Sequence, residues 1–188
     1  MKKTSSILSI ILIELITTIN TFAVPLSFED APSFSTENLQ KAMGWFTAQP
    51  HPMGSKTQSK IAMGLKQTLK QFGLETKELK FNAQIPNYKS NNQDGSEKKI
   101  NNTLSVIARN IISLRKGTAD CVVFIGGHYD TKYFKEFKFV GANDGGSSTV
   151  LMMELARVLK KTKFNTGSLG SCHIGLLFFD GEESLLKK

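Results

Sequence analysis

The stretch Cys121-Val122-Val123-Phe124-Ile125-Gly126-Gly127, closed by His128-Tyr129-Asp130, decides the fold. Its short apolar run carries β-branched Val122, Val123 and Ile125 and reads as a strand buried on both faces. A second such run, His173 to Phe179, ends in Asp180-Gly181-Glu182-Glu183. Between them, Ser147 to Lys161 places Leu151, Leu155, Val158 and Leu159 on one side of a helix. Strand, helix and strand in succession make a right-handed crossover unit of a mainly parallel sheet.

Upstream, a helix is expected to start at Ser35 or Thr36, with Leu39, Met43 and Phe46 on one face. His51-Pro52-Met53-Gly54-Ser55 is turn chemistry. A second helix runs from Lys56 to Phe72, with Ile61, Leu65, Leu69 and Phe72 inward, lysines and glutamines outward, and Gly73 as its stop. Leu74 to Phe81 and Leu104 to Leu114 read as an antiparallel hairpin around a polar loop, Pro86 to Lys99, that contains Asp94-Gly95. The predicted class is therefore α/β: a mainly parallel central sheet, flanked by helices, with an antiparallel edge hairpin. No internal repeat is visible, and residues 24–188 read as part of one catalytic domain.

Composition supports a globular chain: 188 residues, 40% hydrophobic and 21% charged. The net charge of +8 is spread over scattered lysines. No basic stripe interleaved with aromatics is present, so a nucleic-acid partner is not expected. Residues 1–23 read as a cleaved signal peptide, with Lys2 and Lys3, an apolar Ile7–Ile19 region and a small residue at Ala23. The other reading is an N-terminal membrane anchor, but the apolar run, interrupted by Glu14, is short for a comfortable bilayer span. A secreted or periplasmic protein follows, with no stable membrane insertion after cleavage. Cys121 and Cys172 each begin an apolar strand, and export would permit a disulfide between them; two buried free thiols are the other outcome.

Both strands end in ionisable residues, and Gly141-Ala142-Asn143-Asp144-Gly145-Gly146 lies just before the crossover helix. Open α/β sheets bind ligands at the carboxyl ends of their strands. A parallel crossover brings all three clusters to that edge. Carboxylates gathered there repel one another unless a cation neutralises them, and histidine with aspartate and glutamate suits zinc. The adjacent Glu182 and Glu183 can divide the work, one facing a metal and the other the reacting group. Asp130 can accept the second imidazole N–H of His128 and fix its tautomer. Taken singly, each cluster also reads as a turn, a cap or a strand-end pair; their order and placement point to a metal site. His51 reads as a surface residue of its turn, and His173 as structural, at the far end of its strand. Lys132, Lys135 and Lys138 alternate with Tyr133, Phe134, Phe137 and Phe139 beside the site, as a solvated hairpin or as a pocket wall.

These residues resemble a known group. His128-Tyr129-Asp130-Thr131-Lys132-Tyr133-Phe134, Phe139-Val140-Gly141-Ala142-Asn143-Asp144, Met152-Met153-Glu154-Leu155-Ala156-Arg157 and Phe178-Phe179-Asp180-Gly181-Glu182-Glu183 look like the glutaminyl-peptide cyclotransferases, of one superfamily with the secreted zinc aminopeptidases. The resemblance implies Asp144 and Glu183 as zinc ligands and Glu182 as the general acid/base. It implies one zinc in a cyclase, with His128 and Asp130 either behind the metal's ligands or vestigial. In an aminopeptidase it implies two zincs bridged by Asp144, with His128 a ligand supported by Asp130. Gly145-Gly146-Ser147-Ser148 looks closer to the aminopeptidases. The substrate implied is the amino terminus of a peptide or protein. The resemblance also implies further strands beyond Glu183, carrying another acidic residue, a histidine ligand and much of the pocket. The chain is thus expected to be the N-terminal portion of such a domain, and a chain ending there to bind zinc poorly. Three readings stand: cyclase, two-zinc aminopeptidase, and an inactive truncated chain.

Overall fold

The computed structural model describes residues 34–87, 103–161 and 171–183. Residues 1–23, read as a signal peptide, most of the polar loop from Pro86 to Lys99, and the last five residues lie outside the described residues. Helix α1 (Thr36–Phe46) starts where expected: the Ser35 hydroxyl caps it by accepting from the Asn38 N–H at 3.2 Å. Phe46 is its fully buried residue, and Leu39 and Met43 are half-buried. Helix α2 (Lys56–Gln71) is capped by Ser55 and buries Ile61, Ala62, Leu65 and Leu69. Gly73 ends it at φ 81°, a left-handed turn that costs glycine little.

Four strands follow: β1 (Glu75–Pro86), β2 (Thr103–Arg115), β3 (Val122–His128) and, after helix α3 (Gly146–Lys161), β4 (His173–Phe179). Their order in the sheet is β1-β2-β4-β3. β1 and β2 form the expected antiparallel hairpin, from Glu75 opposite Leu114 to Pro86 opposite Thr103. It runs past Phe81 because Ile85 packs with Met53 and Ala108 in a small satellite cluster. The crossover through α3 pairs β3 with β4 in parallel, while β2 meets β4 antiparallel. The α/β class stands, and the described sheet is mixed.

One main core joins the layers. Phe46 of α1, Leu65 and Leu69 of α2, and Met152 and Ala156 of α3 pack with Ile111, Leu176 and Phe178 of the sheet. Large buried side chains such as these contribute about 1.5–3 kcal/mol each. Glu154 fixes α3 to the start of α1: its carboxylate holds the Arg157 guanidinium and accepts the Ser35 N–H at 2.6 Å. No helix among the described residues is long and apolar enough to cross a membrane.

Two expectations need correction. β3 is not covered on both faces: among the described residues it is an edge strand, with Phe124 56% and Val123 49% exposed. Its apolar sequence is that of a two-sided strand, but Val122 to Ile125 are exposed on both faces, and the strand is packed only near its end, where Gly127 lies close to Ser148 and Met152. The glutamines of this helix are expected outward, yet Gln58 is fully buried. It sits three residues before Ile61 and seven before Leu65, so helical spacing puts it on the apolar face.

Gln58 belongs to a buried polar network behind the carboxyl ends of the strands. Its amide donates to the Tyr129 hydroxyl at 2.8 Å and to the Asp180 carboxylate. The Tyr129 hydroxyl donates to the Arg109 carbonyl, the Arg109 N–H donates to Asp180 at 2.8 Å, and the Asp180 N–H donates to the Asn110 side chain. Asp180 Oδ1 has no hydrogen-bond partner. Burial, with Asp130 nearby, pushes the Asp180 carboxyl up to about 7 despite the Arg109 N–H. At the opposite ends of β3 and β4, Cys121 and Cys172 form a disulfide with Cα atoms 4.8 Å apart.

Closing a loop across 51 positions is worth about 4 kcal/mol at most in the chain-entropy view. Cys121→Ser/Cys172→Ser should therefore lower the urea midpoint by the equivalent of about 2–4 kcal/mol. Alkylation of the unreduced, denatured protein should label neither cysteine; two labelled thiols would refute the bridge. Asp180 gives a pH signature. Because its proton is held more tightly in the folded chain, folding takes up a proton between pH 3.8 and about 7. Stability from this group is full below that window and falls as pH rises through it. Urea melts from pH 5 to 8, with chelator present, should show Asp180→Asn losing less stability across the window than the parent chain.

Candidate metal centre

β3 and β4 run in parallel and end together, His128 opposite Phe179. The Tyr129 N–H then donates to the Phe179 carbonyl at 2.9 Å, extending the pairing by one step. That step delivers Asp130 beneath the β4 exit. Asp130 is fully buried, and its two carboxylate oxygens accept the N–H groups of Glu182 and Glu183, each at 3.2 Å. Gly181, at φ 83°, makes the turn that presents those amides, and Met53 packs so closely that a Cβ there would lie 2.7 Å from its sulfur.

Asp130 therefore holds the turn more directly than it holds the imidazole. His128 Nδ1 is 3.6 Å from the Asp130 carboxylate and 3.2 Å from the Asp130 backbone carbonyl. The carbonyl is the nearer acceptor for a proton on Nδ1, which leaves Nε2 as the nitrogen facing the acidic loops. Nε2 lies 3.1 Å from Asp144 Oδ1 and 3.7 Å from Glu182 Oε2. Burial lowers the His128 basicity, but Asp130, Asp144 and Glu182 outweigh it and raise the imidazole above its ordinary value.

Asp144 arrives on the loop before α3. Gly145, at φ 82°, lets that loop press on the imidazole: a Cβ there would meet His128 Cε1 at 2.9 Å. The Thr149 hydroxyl donates to the His128 carbonyl at 2.9 Å and ties the first turn of α3 to the end of β3. Glu182 and Asp144 keep exposed side chains, at 59% and 62%. Glu183 is buried, with Lys132 Nζ 3.7 Å from its Oε2. Burial, and then the charge of Asp144, push the Glu183 carboxyl up. Its Oε1 is buried and has no hydrogen-bond partner.

His128, Asp144, Glu182 and Glu183 are thus drawn to one edge from three loops. A buried carboxylate with an orphaned oxygen, raised by a second carboxylate, is the environment a cation relieves. Among the described residues, no group of three or more His, Cys, Asp and Glu side chains is already disposed to hold a metal ion. The donor set fits part of a zinc shell and leaves the rest of the coordination to other groups.

His51 was expected at the surface and is instead fully buried, its ring edge-on to Phe46 with centroids 4.5 Å apart. Its N–H donates to the Thr131 hydroxyl and its carbonyl accepts the Thr131 N–H, so the His51–Ser55 turn is fastened to the exit of β3. Burial lowers the basicity of the ring. The prolines on both sides of His51 signal a turn but say nothing about what the turn packs against. His173 lies at the far end of β4, where Nδ1 accepts the Gly117 N–H at 2.9 Å.

Residues 110–187 match the profile of Peptidase family M28. Over 82 residues the chain is 39% identical to a glutaminyl-peptide cyclotransferase of Bos taurus, a segment that is 40% of this chain and 23% of that protein. The glutaminyl cyclase of Fimbriiglobus ruber superposes with a TM-score of 0.62 at 19% identity, over 81% of this chain and 47% of its own. A structure from Bacteroides vulgatus solved as a candidate Zn-dependent exopeptidase superposes at 0.58 and 18% identity, over 81% of this chain and 49% of its own. The chain spans less than half the length of these solved relatives. The resemblance read from the sequence holds: the chain is similar to glutaminyl-peptide cyclotransferases, and its segment 110–187 to peptidase family M28.

Proposed function

We propose that the intact protein is a zinc-dependent glutaminyl-peptide cyclotransferase, converting an amino-terminal glutamine to pyroglutamate with release of ammonia. The observation that carries this reading is the Asp130 clamp, which sets Glu182 and Glu183 side by side facing His128 and Asp144. The clamp lies in the segment that matches family M28, in a chain similar to a cyclotransferase.

Asp144 and Glu183 would hold the zinc, the buried Oε1 of Glu183 finding in it the partner it lacks. Bound zinc supplies Lewis-acid polarisation of the substrate's γ-carbonyl. Glu182, exposed and beside the ligand, takes a proton from the α-amine as its nitrogen bonds to the carbonyl carbon of the γ-carboxamide. It then returns the proton to the amide nitrogen as the bond between that nitrogen and the carboxamide carbon breaks, and the nitrogen leaves as ammonia. Asp130 positions both glutamates through their amides, and His128 bears on Asp144 and Glu182 through Nε2. The Cys121–Cys172 bridge supports export to an oxidising compartment, as the leader-like first 23 residues suggest.

One observation favours a second reading. His128 Nε2 lies 3.1 Å from Asp144, close enough for both to serve one ion. That arrangement would suit a two-zinc aminopeptidase, in which His128, Asp144 and Glu183 would hold the metals and Glu182 would act as base toward a water. Metal content separates the two: one zinc per chain supports the cyclase, two support the peptidase.

The reaction is tested by ammonia release from a Gln-initiated peptide, using the full-length gene product. Release of the first amino acid without ammonia would refute cyclisation. Glu182→Gln should keep its zinc and lose activity by about 10²–10⁴-fold, the usual worth of a positioned acid/base. Asp144→Ala with Glu183→Ala should abolish zinc uptake in an equilibrium titration while far-UV circular dichroism stays unchanged; retained uptake would remove these two as ligands.

A further inference from the structure

A cavity of about 470 Å³ opens beside the acidic cluster. Pro50 and Pro52 form one wall, and the segment Lys132–Phe139 forms the rest. Phe134 organises that wall: it stacks on Phe137 with centroids 4.5 Å apart and meets Phe139 edge-on at 5.4 Å. Phe137 remains 55% exposed. Lys132, Lys135 and Lys138 ring these aromatics against a single acid, Glu136. Lys132 faces Glu183, and neither Lys135 nor Lys138 has an acidic partner among the described residues.

Aromatic rings held open to water and unpaired like charges are both unfavourable, and they are unfavourable in the same place. A ligand that brings an apolar side chain and a negative charge relieves both. The Lys132–Glu183 contact sets the mouth of the cavity against the reacting centre. The proline wall offers no backbone N–H at Pro50 or Pro52, so recognition there falls to side chains. We infer that this cavity is the subsite for the residues following the substrate's first residue, and that it selects an acidic residue next to an aromatic or aliphatic one. The inference rests on the reading of a peptide amino-terminal substrate and names its class.

The test uses the zinc-loaded, full-length protein and three peptides: Gln-Phe-Asp-Asp, Gln-Phe-Lys-Lys and Gln-Gly-Ser-Ser. The acidic peptide should exceed the basic one in kcat/KM by about five- to tenfold at low ionic strength, a modest ratio because the lysines are solvated. The ratio should shrink as salt is added. Lys135→Glu/Lys138→Glu should invert it. Lys60→Glu/Lys70→Glu on α2, which makes the same change in net charge away from the cavity, should leave it. Equal rates for acidic and basic peptides, or equal inversion by both double variants, would overturn the subsite. Should no peptide be turned over, the proposed reaction has failed. The cavity is then judged by fluorescence-anisotropy titration of the same labelled peptides, where absence of an acidic preference would overturn it too.

Discussion

The candidate site depends on one carboxylate accepting two successive backbone amides. Asp130 has both oxygens committed, to Glu182 N–H and to Glu183 N–H. Hydrogen bonds to a charged acceptor contribute about 1.5–3 kcal/mol each, more than neutral ones. Their effect on geometry matters more than their sum. Two neighbouring amides held by one rigid group fix the orientation of both residues. One side chain turns inward, where Glu183 is buried, and the other outward, where Glu182 is solvated. A division of labour between adjacent glutamates needs this kind of restraint, since a free turn would let them exchange places.

The restraint has its own support. Asp130 is packed behind by the His51 turn, which is fastened to Thr131 and steadied by Phe46. Asp180, at the start of the glutamate turn, is held by Gln58 of α2 and by the Arg109 N–H of β2. Elements from both ends of the described chain therefore converge on one short turn. The arrangement is costly: the Gln58, Asp180 and Glu183 side chains each keep a buried oxygen without a partner. Buried polar groups left unpaired cost about 1–3 kcal/mol apiece. Such expense concentrated at one edge of a sheet is characteristic of a site built for chemistry.

Much of this was legible in the sequence because it rests on short-range patterns. The two apolar runs, their acidic ends and the helix between them suffice to bring His128, Asp144, Glu182 and Glu183 to one edge. The start at Ser35 and the stop at Gly73 are likewise local chemistry. What the sequence did not show is tertiary. Gln58 has a polar name at an apolar spacing, and only its partners Tyr129 and Asp180 explain the burial. His51 is buried through contacts with Phe46 and Thr131, and Thr131 is 80 positions away. Asp130 has the right type for orienting His128, but nothing in the local pattern reveals that the glutamate amides claim its oxygens. The exposure of β3 was hidden for a different reason: an apolar strand sequence signals burial, and the described residues leave Val122 to Ile125 exposed on both faces.

The parallel pair β3–β4 is fastened at both ends by different means. At the start, Cys121 and Cys172 join the strands covalently next to the Val122–His173 pairing. At the finish, beyond the His128–Phe179 pairing, Asp130 of one strand's exit grips the exit turn of the other. An edge strand seven residues long with an exposed apolar face has little packing to keep its register. A slip by one residue would reverse every side chain and carry His128 away from Asp144. The disulfide fixes the register from the end remote from the candidate site, so the acidic end can carry buried, poorly paired groups that add little to stability. In this way a covalent constraint at one edge of the sheet underwrites an electrostatic one at the other.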